Sequence, residues 1–78
     1  MMVFLIEYNR LRGKIIKFEI FDDAQRKQAA ESRLEIELDL NRRAIDHEVV
    51  LLEAASEEAL RRTHRRYFED LAELVETG

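Results

Sequence analysis

Three scarce residue types limit what this chain can fold into: it contains no proline, no cysteine and only two glycines, Gly13 and Gly78. Irregular loops draw on proline and glycine, so we expect nearly all of the chain to be helix or strand. No disulfide can stabilise it, because there is no cysteine. The length predicts one domain, 1–78, and a domain this small buries only roughly 60% of its unfolded surface. Its own core is therefore marginal, and a partner subunit would complete it.

Composition places the chain among folded proteins without a membrane span. Hydrophobic residues make up 46% of it, which argues against disorder, and charged residues make up 38%. The apolar start, residues 1–6, is interrupted by Glu7. It is too short for a secretion signal or for the roughly 20 residues that cross a bilayer. We therefore predict a cytoplasmic protein that does not engage membranes.

Residues 2–8 and 14–21 are rich in valine, isoleucine, phenylalanine and tyrosine, which predicts two strands of a hairpin. The link 9–13 has the length of a hairpin loop, and Gly13 can take a positive φ there. Alternation along the second strand separates two sets of side chains: Ile16, Phe18 and Ile20 on one face, and Ile15, Lys17, Glu19 and Phe21 on the other. The first strand is apolar on both faces, which is typical of a central strand that is covered on both sides.

A helix is predicted to follow, capped by Asp22 or Asp23, with Gln25 in the capping-box position and an end near Arg43. The stretch 34–40 alternates between apolar and acidic residues, as a strand does. Its leucines and glutamates favour helix, and no turn signal precedes it. The apolar residues then form two stripes: Ala30, Leu34, Leu38 and Ile45, and Ala29, Ile36, Leu40 and Ala44. One stripe can cover the sheet, and the second is more apolar than the solvent face of a monomer.

A third strand is predicted within 47–54, because its centre, 49–52, is apolar on both faces. Ser56 caps a last helix, and Glu57 and Glu58 lie favourably in its first turn. One face of that helix carries apolar residues at helical spacing: Leu60, Thr63, His64, Tyr67, Phe68, Leu71, Leu74 and Val75.

The element order ββαβα predicts an α+β fold with a three-stranded antiparallel sheet. If the connection from the second strand to the third passes over the first, the sheet order is 2-1-3, with both helices on one face. The arrangement resembles a truncated ferredoxin-like (split βαβ) fold, and this resemblance implies no function.

Two helices on one face would leave the other face of the sheet apolar and uncovered. A second copy of the chain would cover that face, so we predict a homodimer. The candidate interface residues come from the sheet and the first helix: Val3, Leu5, Ile15, Val49, Leu51, Ile36 and Leu40.

The segment 61–66 holds four arginines, a composition that also occurs in phosphate and nucleic-acid sites. On a helix, however, each arginine has an acid four residues away: Arg61 with Glu57, Arg62 with Glu58, Arg65 with Glu69 and Arg66 with Asp70. These pairs cancel the local positive field. We interpret the segment as a solvated helix face, with anion binding as the alternative.

His64 and Tyr67 lie on the apolar face of the last helix and, with Tyr8, are the candidate ligand-binding residues. An imidazole and a phenol in one pocket could perform acid–base chemistry or orient a small ligand. The alternative is a half-buried structural histidine. No nucleophile is recognisably paired with it, since the only serines are Ser32 and Ser56, so we assign no catalytic residue.

Four bases in and beside the hairpin loop are candidates for nucleic-acid contact: Arg10, Arg12, Lys14 and Lys17. The formal net charge of −4 argues against a general nucleic-acid-binding surface. His47 is flanked by Asp46 and Glu48, but adjacent strand residues point to opposite faces and cannot converge on a metal ion without a second element. No phosphate loop or zinc motif occurs in the sequence, so we predict no metal and no cofactor.

We therefore predict a homodimeric protein–protein interaction module without catalytic activity, for which a different protein is a further candidate partner. The alternative is a dimeric ferredoxin-like ligand binder or enzyme with a cleft near His64 and Tyr67. A third hypothesis is a nucleic-acid-contacting or antitoxin-like module that uses the hairpin, because the hairpin-then-helix opening is loosely similar to antitoxin-type small domains.

Overall fold

A computed structural model describes residues 1–69 of the protein. Within this range its regular elements follow the predicted order: β1 (Met2–Asn9), β2 (Lys14–Phe21), α1 (Arg26–Arg42), β3 (Glu48–Ala54) and α2 (Glu57–Thr63). Short 3-10 turns precede α1 at Asp23–Gln25 and follow α2 at Arg65–Tyr67.

β1 is the central strand of an antiparallel sheet in the order β2-β1-β3, which confirms the predicted α+β fold and strand order. Phe4 pairs with Ile20 of β2 and with Leu52 of β3. Every residue from Val3 to Tyr8 is buried. This burial is what a strand with apolar side chains on both faces requires, because either face would otherwise be exposed to water.

The two helices cover opposite faces of the sheet, so the prediction of both helices on one face is wrong. On one face, α1 packs through a cluster of Val3, Leu5, Phe21, Ala29, Leu40 and Val49. On the other, α2 and the turn after it pack through a cluster of Phe4, Ile6, Tyr8, Ala54, Leu60 and Tyr67. Each face of β1 carries large apolar side chains, and each face therefore needs its own cover. The resemblance to a ferredoxin-like fold is not confirmed.

The sheet face that was expected to be open for a second copy is covered by α1 of the same chain. Four of the candidate interface residues are buried in that cluster, namely Val3, Leu5, Leu40 and Val49. Ile36 and Leu51 pack against it and are half-buried. The premise of an uncovered sheet face is therefore wrong, and the homodimer itself stays a prediction.

A β-bulge in β2 changes the face on which Ile15 lies. Glu7 pairs with Lys17 and the next residue, Tyr8, pairs with Ile15, so Ile16 is left over between the two pairs. The extra residue reverses the alternation of side chains. Ile15 consequently packs with the cluster that contains Tyr8, on the α2 face, and not beside Lys17 as the simple alternation predicted.

α1 is helical throughout 34–40, which confirms the choice of helix over strand for the alternating stretch. Its start is closed by Gln25, whose side-chain Oε1 accepts a hydrogen bond of 3.0 Å from the backbone N–H of Asp22. The outer side of α1 remains apolar: Leu34 and Leu38 are 55% and 58% exposed.

α2 ends at Thr63, much earlier than the continuous helix through Val75 that was predicted. His64 leaves the helical region with φ −125° and ψ 51°. The Thr63 hydroxyl donates to the carbonyl of Ala59 at 2.9 Å, and this local bond competes with continuation of the helix. The predicted apolar positions Leu71, Leu74 and Val75 lie outside the described residues.

The end of α1 is closed by a Schellman motif in which an alanine takes the position usually held by glycine. The N–H of Ile45 donates to the carbonyl of Leu40 at 2.9 Å. The N–H of Ala44 donates to the carbonyl of Asn41 at 3.2 Å. Ala44 has a φ of 55°, in the left-handed region that an alanine side chain disfavours. Ile45 then packs beside Leu40 in the core, which completes the motif.

Replacing Ala44 by glycine should stabilise the protein. We expect Ala44→Gly to raise the free energy of unfolding by about 1 kcal/mol, because glycine removes the Cβ repulsion at positive φ. Ala30→Gly is the matched control: Ala30 is exposed within α1, and the same change there should lower stability by about 1 kcal/mol. Urea unfolding followed by circular dichroism measures both. Equal destabilisation by the two variants would contradict the left-handed assignment.

A second pair of variants tests whether Leu5 is core or interface. Leu5 is 0% exposed and Leu11 is 93% exposed. Leu5→Ala should lower the free energy of unfolding by about 2–5 kcal/mol, and Leu11→Ala by less than about 0.5 kcal/mol. The difference between Leu5→Ala and the wild type should be the same at low and high protein concentration, because α1 of the same chain covers Leu5. A difference that grows with concentration would instead place Leu5 between copies.

Candidate functional site

Two members of the predicted ligand-binding set, Tyr8 and Tyr67, lie side by side on the α2 face. Their rings meet edge to face, with centroids 5.1 Å apart, and both residues are buried. The Tyr8 hydroxyl donates to the backbone carbonyl of Arg66 at 3.2 Å. The contact therefore fixes the 3-10 turn after α2 to the central strand.

Glu48, the first residue of β3, is the acceptor around which this cluster is arranged. The Tyr67 hydroxyl donates to its Oε2, and Arg66 Nη2 donates to the same oxygen at 2.7 Å. The Arg66 guanidinium also lies over the Tyr67 ring, 4.3 Å from its centroid. Helical spacing predicted Asp70 as the partner of Arg66. The helix ends before Arg66, and within residues 1–69 its carboxylate partner is Glu48.

Burial raises the pKa of the Tyr67 hydroxyl above its usual value, and the hydrogen bond to the Glu48 carboxylate raises it further. Both effects favour the neutral phenol over the phenolate. A tyrosine in this state donates a hydrogen bond near neutral pH and does not act as a base. We therefore interpret the cluster as a structural contact between the turn after α2 and β3.

Within residues 1–69, His64 has no hydrogen bond to the Tyr67 phenol, and the ligand-binding role of His64, Tyr67 and Tyr8 stays a prediction. Its Nδ1 lies 3.0 Å from the hydroxyl of Thr63, where α2 ends. A cavity of about 390 Å³ does adjoin Tyr67, but it is lined by Gly13, Lys14, Ile15, Arg61, Tyr67, Phe68 and Glu69. Because the helix stops at Thr63, the spacing of three that placed the two side chains on one face no longer applies.

The raised pKa of Tyr67 gives a testable pH dependence. An unfolded tyrosine titrates at about pH 10. Since the pKa of Tyr67 is higher in the folded state, its contribution to stability is complete below that pH and is lost as pH rises through the folded pKa. Tyr8→Phe leaves Tyr67 as the sole tyrosine. Its tyrosinate absorbance should therefore appear at higher pH in the folded protein than in urea, and coincident titrations would contradict the cluster.

Three of the four predicted arginine pairs are present in the described residues, and the acid of the fourth, Asp70, lies outside them. Glu57 pairs with Arg61 at 3.1 Å, Glu58 with Arg62 at 3.2 Å and Glu69 with Arg65 at 3.3 Å. All of these side chains are well exposed, so each pair stabilises the protein only weakly. Their charges nevertheless cancel locally, as the interpretation of a solvated face requires.

The bases of the hairpin are exposed, and two of them have acidic partners. Arg10 pairs with Asp46 at 3.1 Å and Lys17 pairs with Glu19 at 3.3 Å. Of the other two, Arg12 is exposed in the loop and Lys14 lines the cavity beside Tyr67. The hairpin therefore presents less net positive charge than its sequence suggested, and nucleic-acid contact stays a prediction.

A second polar cluster, which sequence reasoning missed, joins Glu7 to His47. Glu7 is buried at 8% exposure on the α1 face, and its Oε2 lies 2.7 Å from Nδ1 of His47. The Schellman turn after α1 brings His47 back over the end of the sheet. Beside it lies a cavity of about 400 Å³ lined by Asn9, Arg10, Leu11, Ile45, Asp46 and His47. The signal in the sequence was the single acid within an otherwise apolar strand.

The three adjacent polar residues 46–48 contact different partners, although only Glu48 belongs to β3. Asp46 meets Arg10, His47 meets Glu7 and Glu48 meets Tyr67. Across residues 1–69, no group of three or more histidines, cysteines or acids is close enough together to hold a metal ion.

The outer face of α1, defined here by Ala30, Leu34 and Leu38, is an exposed apolar surface within the described residues. These residues are spaced four apart, so they form one stripe on the side of α1 opposite the sheet. All three are exposed, whereas Ala29 and Leu40 on the inner side are buried. The two predicted stripes are thus confirmed as separate faces of the helix, although Ile45 and Ala44 lie beyond its end.

The fold and these clusters define a small α+β protein with a three-stranded sheet between two helices. Comparison of the chain with protein-family models, with curated proteins and with solved structures finds no match. In the part of the chain that the structure describes, no helix is both long and apolar enough to span a membrane. A proposal for function therefore rests on the chain's own surfaces.

Proposed function

We propose that the protein is a self-associating interaction module in which two copies pair through the outer face of α1. The observation that supports this most directly is the exposure of Leu34 and Leu38, at 55% and 58%. Full burial of a leucine side chain is worth about 1.5–3 kcal/mol. Four leucines, two from each copy, would be removed from water in such a pair.

Helix geometry favours an antiparallel pairing. A two-fold axis level with position 36 brings Leu34 of one copy against Leu38 of the second copy, because the two positions are equally far from that level. The small side chain of Ala30 lets the two helices approach closely at either end of the contact. Antiparallel helices also oppose their dipoles, which is electrostatically favourable.

One pair of charges beside the stripe is complementary in this arrangement. Glu31 lies five positions before the axis and Arg42 lies six positions after it. At about 3.6 residues per turn both fall along the same edge of the leucine stripe. Glu31 of each copy therefore lies opposite Arg42 of the second copy. Arg42 binds Asp39 within its own chain at 2.6 Å, but that pair is exposed and holds it weakly.

The affinity should be modest. Two helices in contact bury less surface than the standard protein–protein interface, and interfaces of that size are usually weak. We expect a dissociation constant on the order of micromolar, so that association is reversible and depends on concentration.

Sedimentation equilibrium tests the proposal. The wild type should convert from monomer to dimer as its concentration rises, and the double variant Leu34→Glu/Leu38→Glu should remain a folded monomer, because it places four charges in the contact. Leu11→Glu is the control, since Leu11 is exposed at 93% and lies away from α1. A wild type that stays monomeric well above micromolar concentration would overturn the proposal, as would equal loss of dimer in Leu11→Glu.

A charge exchange tests the orientation. Glu31→Arg and Arg42→Glu should each weaken the dimer, because each places like charges opposite one another. The double variant Glu31→Arg/Arg42→Glu should restore it, because the opposing charges are again complementary. Failure of the double variant to recover would contradict the antiparallel arrangement, even if the leucine variants behave as expected.

The module as proposed acts by binding and carries out no reaction, in agreement with the expectation from the sequence. Cytoplasmic location likewise stays a prediction. The alternative of a catalytic cleft near His64 loses its geometric basis, because the imidazole and the Tyr67 phenol have separate partners.

A further inference from the structure

Glu7 is a buried carboxylate within β1, an otherwise apolar strand. Glu7 lies on β1 on the same face as Val3 and Leu5, at 8% exposure. Removing a carboxylate from water is unfavourable unless it is paired, and an apolar residue at such a position is often equally stable or more stable. The only hydrogen bond of its side chain within residues 1–69 is to His47, at 2.7 Å. The effect of Glu7 is therefore to hold that imidazole.

The pairing fixes which nitrogen of His47 is left for a ligand. An ionised carboxylate only accepts hydrogen bonds, so the proton between the two groups belongs to Nδ1. Nε2 has no protein partner among the described residues. No buried side-chain nitrogen or oxygen in residues 1–69 lacks a partner, so Nε2 is accessible. His47 lines the cavity of about 400 Å³, whereas Glu7 does not.

The other residues that line the cavity include one cation, Arg10, and two apolar side chains, Leu11 and Ile45. Arg10 lines the cavity, and its guanidinium forms an ion pair with Asp46 at 3.1 Å. The side chains of that pair are 56% and 89% exposed, so the pair is weak and leaves most of the guanidinium N–H groups free. Leu11 and Ile45 provide the apolar surface.

We propose that this cavity binds a small organic carboxylate with an apolar substituent. In the proposed complex the ring carries a proton on each nitrogen, so Nε2 donates to one carboxylate oxygen while Nδ1 donates to Glu7, and Arg10 donates to the other oxygen. The hydrocarbon part lies against Leu11 and Ile45. Glu7 is a positioning residue, because it holds the ring and balances its charge. With Glu7 and Asp46 nearby, a multiply charged anion such as phosphate is disfavoured.

Benzoate is a suitable probe, followed by chemical shifts of the ¹⁵N-labelled full chain. We expect saturable shifts at residues of the cavity, with a dissociation constant on the order of 1 mM for so small a ligand. Acetate, which lacks the apolar group, and benzyl alcohol, which lacks the charge, should each bind more weakly. Equal binding of benzyl alcohol or of benzylamine would overturn the proposal, as would shifts confined to residues outside the cavity.

Variants separate the site from the rest of the protein. His47→Gln and Arg10→Gln should each weaken benzoate binding by about tenfold or more, because each removes a hydrogen bond to a charged group. His64→Gln is the matched control, since His64 is the only other histidine and does not line this cavity. Unchanged affinity in Arg10→Gln, or loss of affinity in His64→Gln, would contradict the site.

The buried pair needs its own control for folding. Glu7→Gln/His47→Gln keeps a neutral hydrogen-bonding pair in place of the ionic one, so it should fold and fail to bind benzoate. Binding by this folded double variant would overturn the role of the imidazole. The site shares no residue with the outer face of α1, so Arg10→Gln should leave sedimentation unchanged. The two proposals can therefore fail independently.

Discussion

The fold depends on one constraint, which is that both faces of β1 must be hidden from water. Phe4 and Ile6 point to one side of the strand and Leu5 points to the other, and all three are fully buried. A three-stranded sheet cannot bury both faces of its own central strand. The chain solves this by placing one helix on each side, with β1 as the shared middle layer. Each half of the core is consequently small, as expected for a chain of this length.

Each helix therefore covers one face of the sheet, and α1 keeps exposed apolar residues on its outer side. The inner side of α1 is used on the sheet through Ala29 and Leu40. The outer stripe is exposed to solvent because α2 lies on the opposite face of the sheet and not beside α1 in a two-helix layer. An apolar pattern on both sides of one helix thus has a specific consequence in this fold, and self-association through Leu34 and Leu38 would relieve it.

The sequence predicted the elements well because their signals are local. Strand composition, the Gln25 cap, the Ser56 cap and the helix over 34–40 all depend on neighbours within a few residues. What failed depends on events elsewhere. One extra residue at Ile16 moved Ile15 to the other face, and no propensity marks that bulge. α2 packs on the face of β1 that α1 does not cover, and this arrangement depends on the assembled sheet.

The candidate sites show the same limit for polar residues. His64 and Tyr67 share a helical face only while the helix continues, and it stops at Thr63. Spacing also gave Arg66 a partner on its own helix, whereas in the described residues it binds Glu48 across the fold. The Glu7–His47 pair joins residues 40 positions apart. In the sequence, the pair is marked only by Glu7, an acid within an otherwise apolar strand.

Glu7 and Glu48 lie at the same end of the sheet and differ in a way that separates structure from function. Glu48 pairs in register with Tyr8, next to Glu7, and the two carboxylates serve opposite faces. Tyr67 and Arg66 both donate hydrogen bonds to Glu48, so this carboxylate is bound by groups of the chain itself. Glu7 is met by one imidazole nitrogen, and the other nitrogen stays accessible beside a cavity. Each carboxylate therefore anchors a segment that returns to the sheet, and the proposed ligand site uses the one that holds His47.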